Sequence, residues 1–267
     1  MAARTEASAK KAARYIGGGR ALAGLPATLT GAGTVLLTLP DDAIAPVAAE
    51  LAQRVGAELQ GKVVLHTSGA LHAEVLSAVR DCGAAVGSMH PLQTFNGVNV
   101  PPLEGKVFAI GGDRLATRMA RQISRELGGV PVTIPADKKS LYHAAGAFGA
   151  GLVLALVESG AQLLTQAGLK RREAQRALLA LTRQVLEHYE KLGAQKAWTG
   201  PLSRGDYGVV AAHEKALGEV QPELLAAYQA VSRLAARVLS HDPDAMLREL
   251  DKISEHLPEA EAKGTEA

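Results

Sequence analysis

Residues 3–16 place alanines and other small or apolar residues on one face and Lys10, Lys11 and Arg14 on the other. This is the pattern of an amphipathic helix, and Gly17-Gly18-Gly19 ends it. The period then changes. Short apolar runs follow at 34–40 (TVLLTLP), 62–66 (KVVLH), 84–90 (AAVGSMH) and 106–112 (KVFAIGG), with helical patterning between them. Because these runs do not alternate with polar residues, they predict parallel strands buried on both faces and joined by crossover helices. After PVTIPADKK the strand signals stop. Residues 139–256 keep a helical period, broken near Gly168, at Gly193, over 198–206 and at Asp242-Pro243. The polar tail from Pro258 is expected to fray. Residues 1–135 therefore read as a doubly wound α/β domain with a mainly parallel sheet, and residues 136–267 as an all-helical domain.

Composition narrows the class. The 267 residues are 47% hydrophobic and 21% charged, values of an ordinary globular chain. Their 29 basic and 27 acidic residues are interspersed, leaving no footprint for nucleic acid. One cysteine, Cys82, excludes an internal disulfide and a cysteine-built metal site, suits a reducing compartment, and is expected to serve as a small buried hydrophobe. No metal is expected. The longest apolar stretch, 144–157, is interrupted by glycines and ends at Glu158, so no membrane span is expected, and the chain reads as cytoplasmic.

In an open parallel sheet, ligands collect at the carboxyl ends of the strands. Those ends carry Pro40-Asp41-Asp42, Thr67-Ser68-Gly69, Pro91 to Phe95 and Gly111-Gly112-Asp113. Neither glycine-rich segment fits the strand–G-x-G-x-x-G–helix order that cradles a pyrophosphate, since Gly17-Gly18-Gly19 follows a helix and Gly31 to Gly33 precede a strand. The first helix looks instead like the one after the second strand of a dinucleotide fold, where an Arg meets the 2′-phosphate of NADP. Arg4 and Thr5 stand there, unless Arg4 is simply a solvated terminal residue. Thr67 or Ser68 reads either as a helix cap or as a cleft hydroxyl. His90 follows a strand and either lines a functional site or serves as a hydrogen-bonded structural histidine. Lys139 and His143 lie four apart on one helical face. They form either a cleft pair in which a desolvated lysine acts as general acid, or a solvated lysine beside a packed histidine. In WTGPLSRGD (198–206), Arg204 either clamps an anionic group or pairs with Asp206.

Five ordered motifs, LLTLPDDAI, LHTSGAL, SMHPLQTF, KKSLYHAAGAF and WTGPLSRGD, resemble the Rossmann-like bacterial proteins whose second half is a domain of unknown function. These are distant relatives of pyrroline-5-carboxylate reductase and of the 6-phosphogluconate and 3-hydroxyacid dehydrogenases. The resemblance implies a 6-phosphogluconate-dehydrogenase-like helical domain, an NADP-type dinucleotide, hydride transfer to or from a small carbonyl or imine, and a homodimer formed through the helical half. It places Arg4, Thr5, Leu39, Pro40, Ser68 and Gly69 along the cofactor and His90, Lys139 and His143 near the hydride. Thr199, Arg204 and Asp206 fall toward the substrate. In the related hydroxyacid dehydrogenases an Asn follows the catalytic Lys by four residues, where this chain has His143. Members also begin with a strand and Gly-rich turn, roughly 30 residues in the size range of a βαβ unit, that would precede Ala2. The sheet is thus expected to lack its first strand. The alternative reading is a non-catalytic dimeric protein that uses the same cleft to bind a nucleotide or metabolite.

Overall fold

The computed structural model describes residues 1–97 and 99–255; the tail from Pro258 lies outside them. Two compact units divide between Leu152 and Val153, although helical structure already starts at Ala136. The first unit opens with a two-residue strand, β1 (Ala2–Ala3), and helix α1 (Glu6–Ile16), then β2 (Leu22–Ala23), which pairs in parallel with β1. The Thr5 hydroxyl accepts from the Ser8 N–H at the start of α1, and Gly17 closes its end at φ 84°, a left-handed conformation that costs glycine least. β1 and β2 form a sheet separate from the main one.

The main sheet has five strands: β3 (Thr34–Leu37), β4 (Val63–His66), β5 (Ala85–Pro91), β6 (Val107–Gly112) and β7 (Val130–Thr133), in that spatial order. Helices α2 (Asp41–Val55), α3 (Ser77–Asp81) and α4 (Arg114–Glu126) connect them. Side-chain alternation divides the core between the two faces. Val64 and Val86 pack with Ile44, Leu51 and Val79 on one side, while Val63, Leu65, Met89, Phe108 and Ile110 pack with Ala116 and Ala120 on the other. α4 approaches closely because its inward positions are small. A Cβ on Gly87 would stand only 2.9 Å from that of Ala116.

Two features of the sheet differ from expectation. β5 and β6 are antiparallel, with Gly87 opposite Gly112 and Pro91 opposite Phe108. Gly111-Gly112-Asp113 therefore emerges at the opposite end of the sheet from Ser68 and His90. Asp113 accepts from the Val86 N–H at 2.8 Å instead of facing a ligand crevice. The physical reason is that the described residues between Pro91 and Val107 form no helix, and a parallel return needs a crossover of that kind. Nor is the sheet buried throughout: Leu36 on β3 is 44% exposed and Val130 on β7 is 49% exposed, as edge strands covered on fewer sides.

Helix α5 (Lys139–Ala147) continues through a π-helical turn at Phe148–Leu152 into α6 (Val153–Gln166). The glycines expected to break this stretch are absorbed by the wider π turn. The helical run Ala136–Gln166 is consequently long and apolar enough to cross a membrane by length and composition, which corrects the expectation that no segment is. The same length and composition also describe a helix whose apolar face meets another protein surface. The second unit continues with α7 (Arg171–Leu192), α8 (Ala194–Ala197), α9 (Pro201–Arg204), α10 (Tyr207–Val220), α11 (Pro222–Leu239) and α12 (Pro243–Glu255), and α10, α11 and α12 enclose a core of Val210, Ala236, Met246 and Leu250.

Candidate active site

Beyond β4 and β5 the core face ends in polar residues. His66 stands opposite Ser88 in the sheet register, and His90, two residues further along β5, projects from the same face as Ser88. His66 is fully buried. Its Nδ1 accepts from the Ser68 N–H and its Nε2 faces the His72 carbonyl, both at 3.2 Å. Since Nδ1 is an acceptor and a carbonyl cannot donate, the proton sits on Nε2 and the ring is neutral. Burial, helped by the nearby Lys139 charge, lowers its pKa to about 4. The turn it shapes is closed by the Ser68 hydroxyl, which accepts from the Ala70 and Leu71 N–H groups at 3.2 and 3.0 Å.

Lys139, the first residue of α5, enters this turn and is only 3% exposed. Its ammonium donates to the Ser68 carbonyl at 3.2 Å and to Ser88 Oγ at 2.9 Å. Loss of water brings its pKa down to about 8, against the opposing pull of Asp41 at the start of α2. One turn along α5, the Tyr142 hydroxyl lies 2.9 Å from His90 Nδ1, and the His143 ring meets the His90 ring edge-on at 6.0 Å. Both imidazoles lean over Gly69. A Cβ there would lie 2.7 Å from His143 and 2.9 Å from His90. The His90 pKa is also about 4, lowered first by burial and then by the charges of His143 and Lys139. His90 and His143 open onto a cleft of about 680 Å³ whose other walls include Leu92, Gln93, Thr94 and Gly146. That size suits a small organic ligand.

The two depressed histidines set an acid limit on stability. Between about pH 6.5 and 4 the unfolded chain binds protons at these positions that the folded chain does not, so stability is complete above 6.5 and is lost as pH falls toward 4. Urea midpoints are expected to fall across that window, and His90→Gln should flatten part of the slope; an unchanged slope would remove His90 from the explanation.

Of the residues expected at the site, His90, Lys139, His143, Ser68 and Gly69 come together. Pro40 precedes α2 beyond the tip of β3, and Leu39 is partly buried against the core. Arg4 is exposed just before α1, and Thr5 is engaged in capping that helix. Thr199, Arg204 and Asp206 belong to the second unit, where Arg204 is bonded to Asp206 at 2.9 Å. Sequence reasoning missed His66, Ser88 and Tyr142. Counting back two along the strand from His90 would have found Ser88, and counting three along the helix from Lys139 would have found Tyr142. Cys82 packs at the margin of the core, and the described residues contain no cluster able to hold a metal.

A Rossmann-like domain model matches residues 1–91, and the model of a domain of unknown function, DUF2520, matches residues 106–235. The chain is a Rossmann-like protein with a DUF2520 domain. The Rossmann-like part supplies His66, Ser68, Ser88 and His90, and the DUF2520 part supplies Lys139, Tyr142 and His143. A solved protein from Thermotoga maritima is similar over 95% of this chain and 90% of its own, with 25% identity and a TM-score of 0.66. A candidate NADP oxidoreductase from Bacteroides fragilis is 20% identical over 87% of this chain and 85% of its own, with a TM-score of 0.68. The reductive aminase of Aspergillus terreus, solved with NADPH and ethyl-5-oxohexanoate, is 16% identical over 92% and 88%, with a TM-score of 0.57. No curated protein matches the sequence significantly. The Rossmann-like DUF2520 chain thus shares the fold of these solved proteins.

Proposed function

We propose that this protein is an NADP-dependent oxidoreductase that moves a hydride between the nicotinamide and a small carbonyl or imine. One observation carries the reading: a lysine ammonium buried at the strand tips between the Ser68 carbonyl and Ser88 Oγ, beside a neutral His90 that opens onto an organic-sized cleft. When bound, the cofactor supplies the hydride. The substrate carbon gains it, and the heteroatom, oxygen or nitrogen, gains the proton. Lys139 is the acid that gives up that proton, and its positive charge favours the electron density building on the heteroatom. His90 is neutral at physiological pH, so it orients the heteroatom by a hydrogen bond and does not compete as acid.

The residues present suit the adenosine end of NADP. Arg4 is exposed beside the start of α1 and makes no ion pair among the described residues, leaving its guanidinium available for a 2′-phosphate. Gly17 ends α1 and Gly31 to Gly33 lead into β3, so neither segment is assigned to the pyrophosphate. Exposed apolar side chains on α6 and α7, among them Leu154 at 67% and Leu181 at 62%, support the further proposal that a second copy of the chain covers this helical face.

Binding tests the cofactor assignment. Millimolar NADPH is expected to raise the melting temperature, and Arg4→Ala should weaken NADPH while leaving NADH little changed. Equal losses for the two cofactors would contradict the 2′-phosphate role, and no stabilisation by either would end the dinucleotide reading.

A further inference from the structure

The short contact between Tyr142 and His90 admits two proton arrangements. Either the phenol donates to an unprotonated Nδ1 at 2.9 Å, or an Nδ1–H donates to the phenol oxygen, whose own proton then has the His90 carbonyl at 3.5 Å as its acceptor among the described protein groups. The second arrangement leaves the phenol with a bond at the outer limit of useful length, whereas 2.9 Å is near the optimum. Burial raises the Tyr142 pKa to about 12, so the O–H stays a donor, and a half-buried donor is costly to leave without a good acceptor.

We propose that Tyr142 is a positioning residue that fixes His90 as its Nε2–H tautomer and so aims an N–H, not a lone pair, at the space above Gly69. The ring edge carrying Nε2 and Cε1 is the one that lies 2.9 Å from a Cβ placed on Gly69, where it borders His143 and the cleft. A neutral imidazole N–H there binds an electron-rich oxygen or nitrogen without surrendering its proton, and it rejects ligand groups that can only donate. Tyr142 touches no cleft ligand in this arrangement; it acts through His90. The use of the N–H on a reacting heteroatom rests on the reductase reading, whereas the tautomer itself does not.

The test is a long-range ¹H–¹⁵N correlation spectrum of the full-length, ligand-free protein at pH 7, with the His90 signals located by comparison with His90→Gln. In the wild type, Nε2 should carry the proton and Nδ1 should show the shift of a hydrogen-bonded acceptor. In Tyr142→Phe the two nitrogen shifts should move toward each other as the ring samples both forms. A wild-type proton on Nδ1, or His90 shifts unaltered by Tyr142→Phe, would overturn the proposal. Should the variant not fold, the wild-type spectrum still decides it. Failure of NADPH to bind would end the reductase reading and leave this result standing.

Discussion

Lys139→Met is expected to lower NADPH-dependent turnover by about 10²- to 10⁴-fold, the usual contribution of a general acid, while leaving the protein folded. Methionine fills a similar volume and removes a buried charge, a change that is often neutral or favourable by itself. Against that, the Ser68 carbonyl and Ser88 Oγ lose their donor, at about 1–3 kcal/mol for a buried group left unsatisfied. Partial cancellation should keep the net stability change small. A variant that loses turnover and folds normally separates chemistry from structure; a variant that loses only stability would make Lys139 a structural pin. The pH profile gives a second handle. With the lysine pKa at about 8, the acid is present below that pH, and carbonyl reduction should decline as pH rises through 8.

Gly69→Ala should be nearly as damaging by a different route. The added methyl would sit 2.7 Å from the His143 ring and 2.9 Å from that of His90, so at least one imidazole must swing away. Overpacking of this kind typically costs about 1–3 kcal/mol, and a displacement near 1 Å at a reacting centre can cost on the order of 10²-fold in rate. Gly33→Ala is the control, because nothing lies within 4 Å of a Cβ there. Loss of activity in the first variant and not the second, read from kcat/KM and urea midpoints together, is the expected pattern. Normal activity in Gly69→Ala would mean that the space above Gly69 plays no part.

The parts of this fold legible in the sequence are those governed by local periodicity. Val63 to His66 and Val107 to Gly112 read as strands because an apolar run of that length has few other uses, and the first helix was marked by its charged face and its terminal glycines. Strand direction was not legible in the same way, since β6 has the apolar pattern of a parallel strand. The clue lay between the strands, in a segment after Pro91 too irregular for a crossover helix. The glycines near Phe148 misled for a related reason: glycine weakens a helix without ending it when a π turn can take up the slack.

At the site, His90 and Lys139 were legible from position alone, one at a strand tip and the other at a helix start. What the sequence did not show is that two residues 51 positions apart are folded together so that the ammonium meets Ser88. Ser88 and Tyr142 look like ordinary polar residues until the sheet register and the turn of α5 set them beside the two expected groups. Arg204 illustrates the converse, since a residue suited to clamping an anion is bonded to a carboxylate two positions away.

Deuteride transfer is the most direct trial of the proposed chemistry. The protein would be incubated with NADPH deuterated at the transferable position and a panel of small ketones and cyclic imines, and the products weighed by mass spectrometry. One deuterium should appear on the former carbonyl or imine carbon with the wild type and be nearly absent with Lys139→Met. Saturation with NADPH and no deuterated product, or equal labelling by the two proteins, would contradict a reductase centred on Lys139.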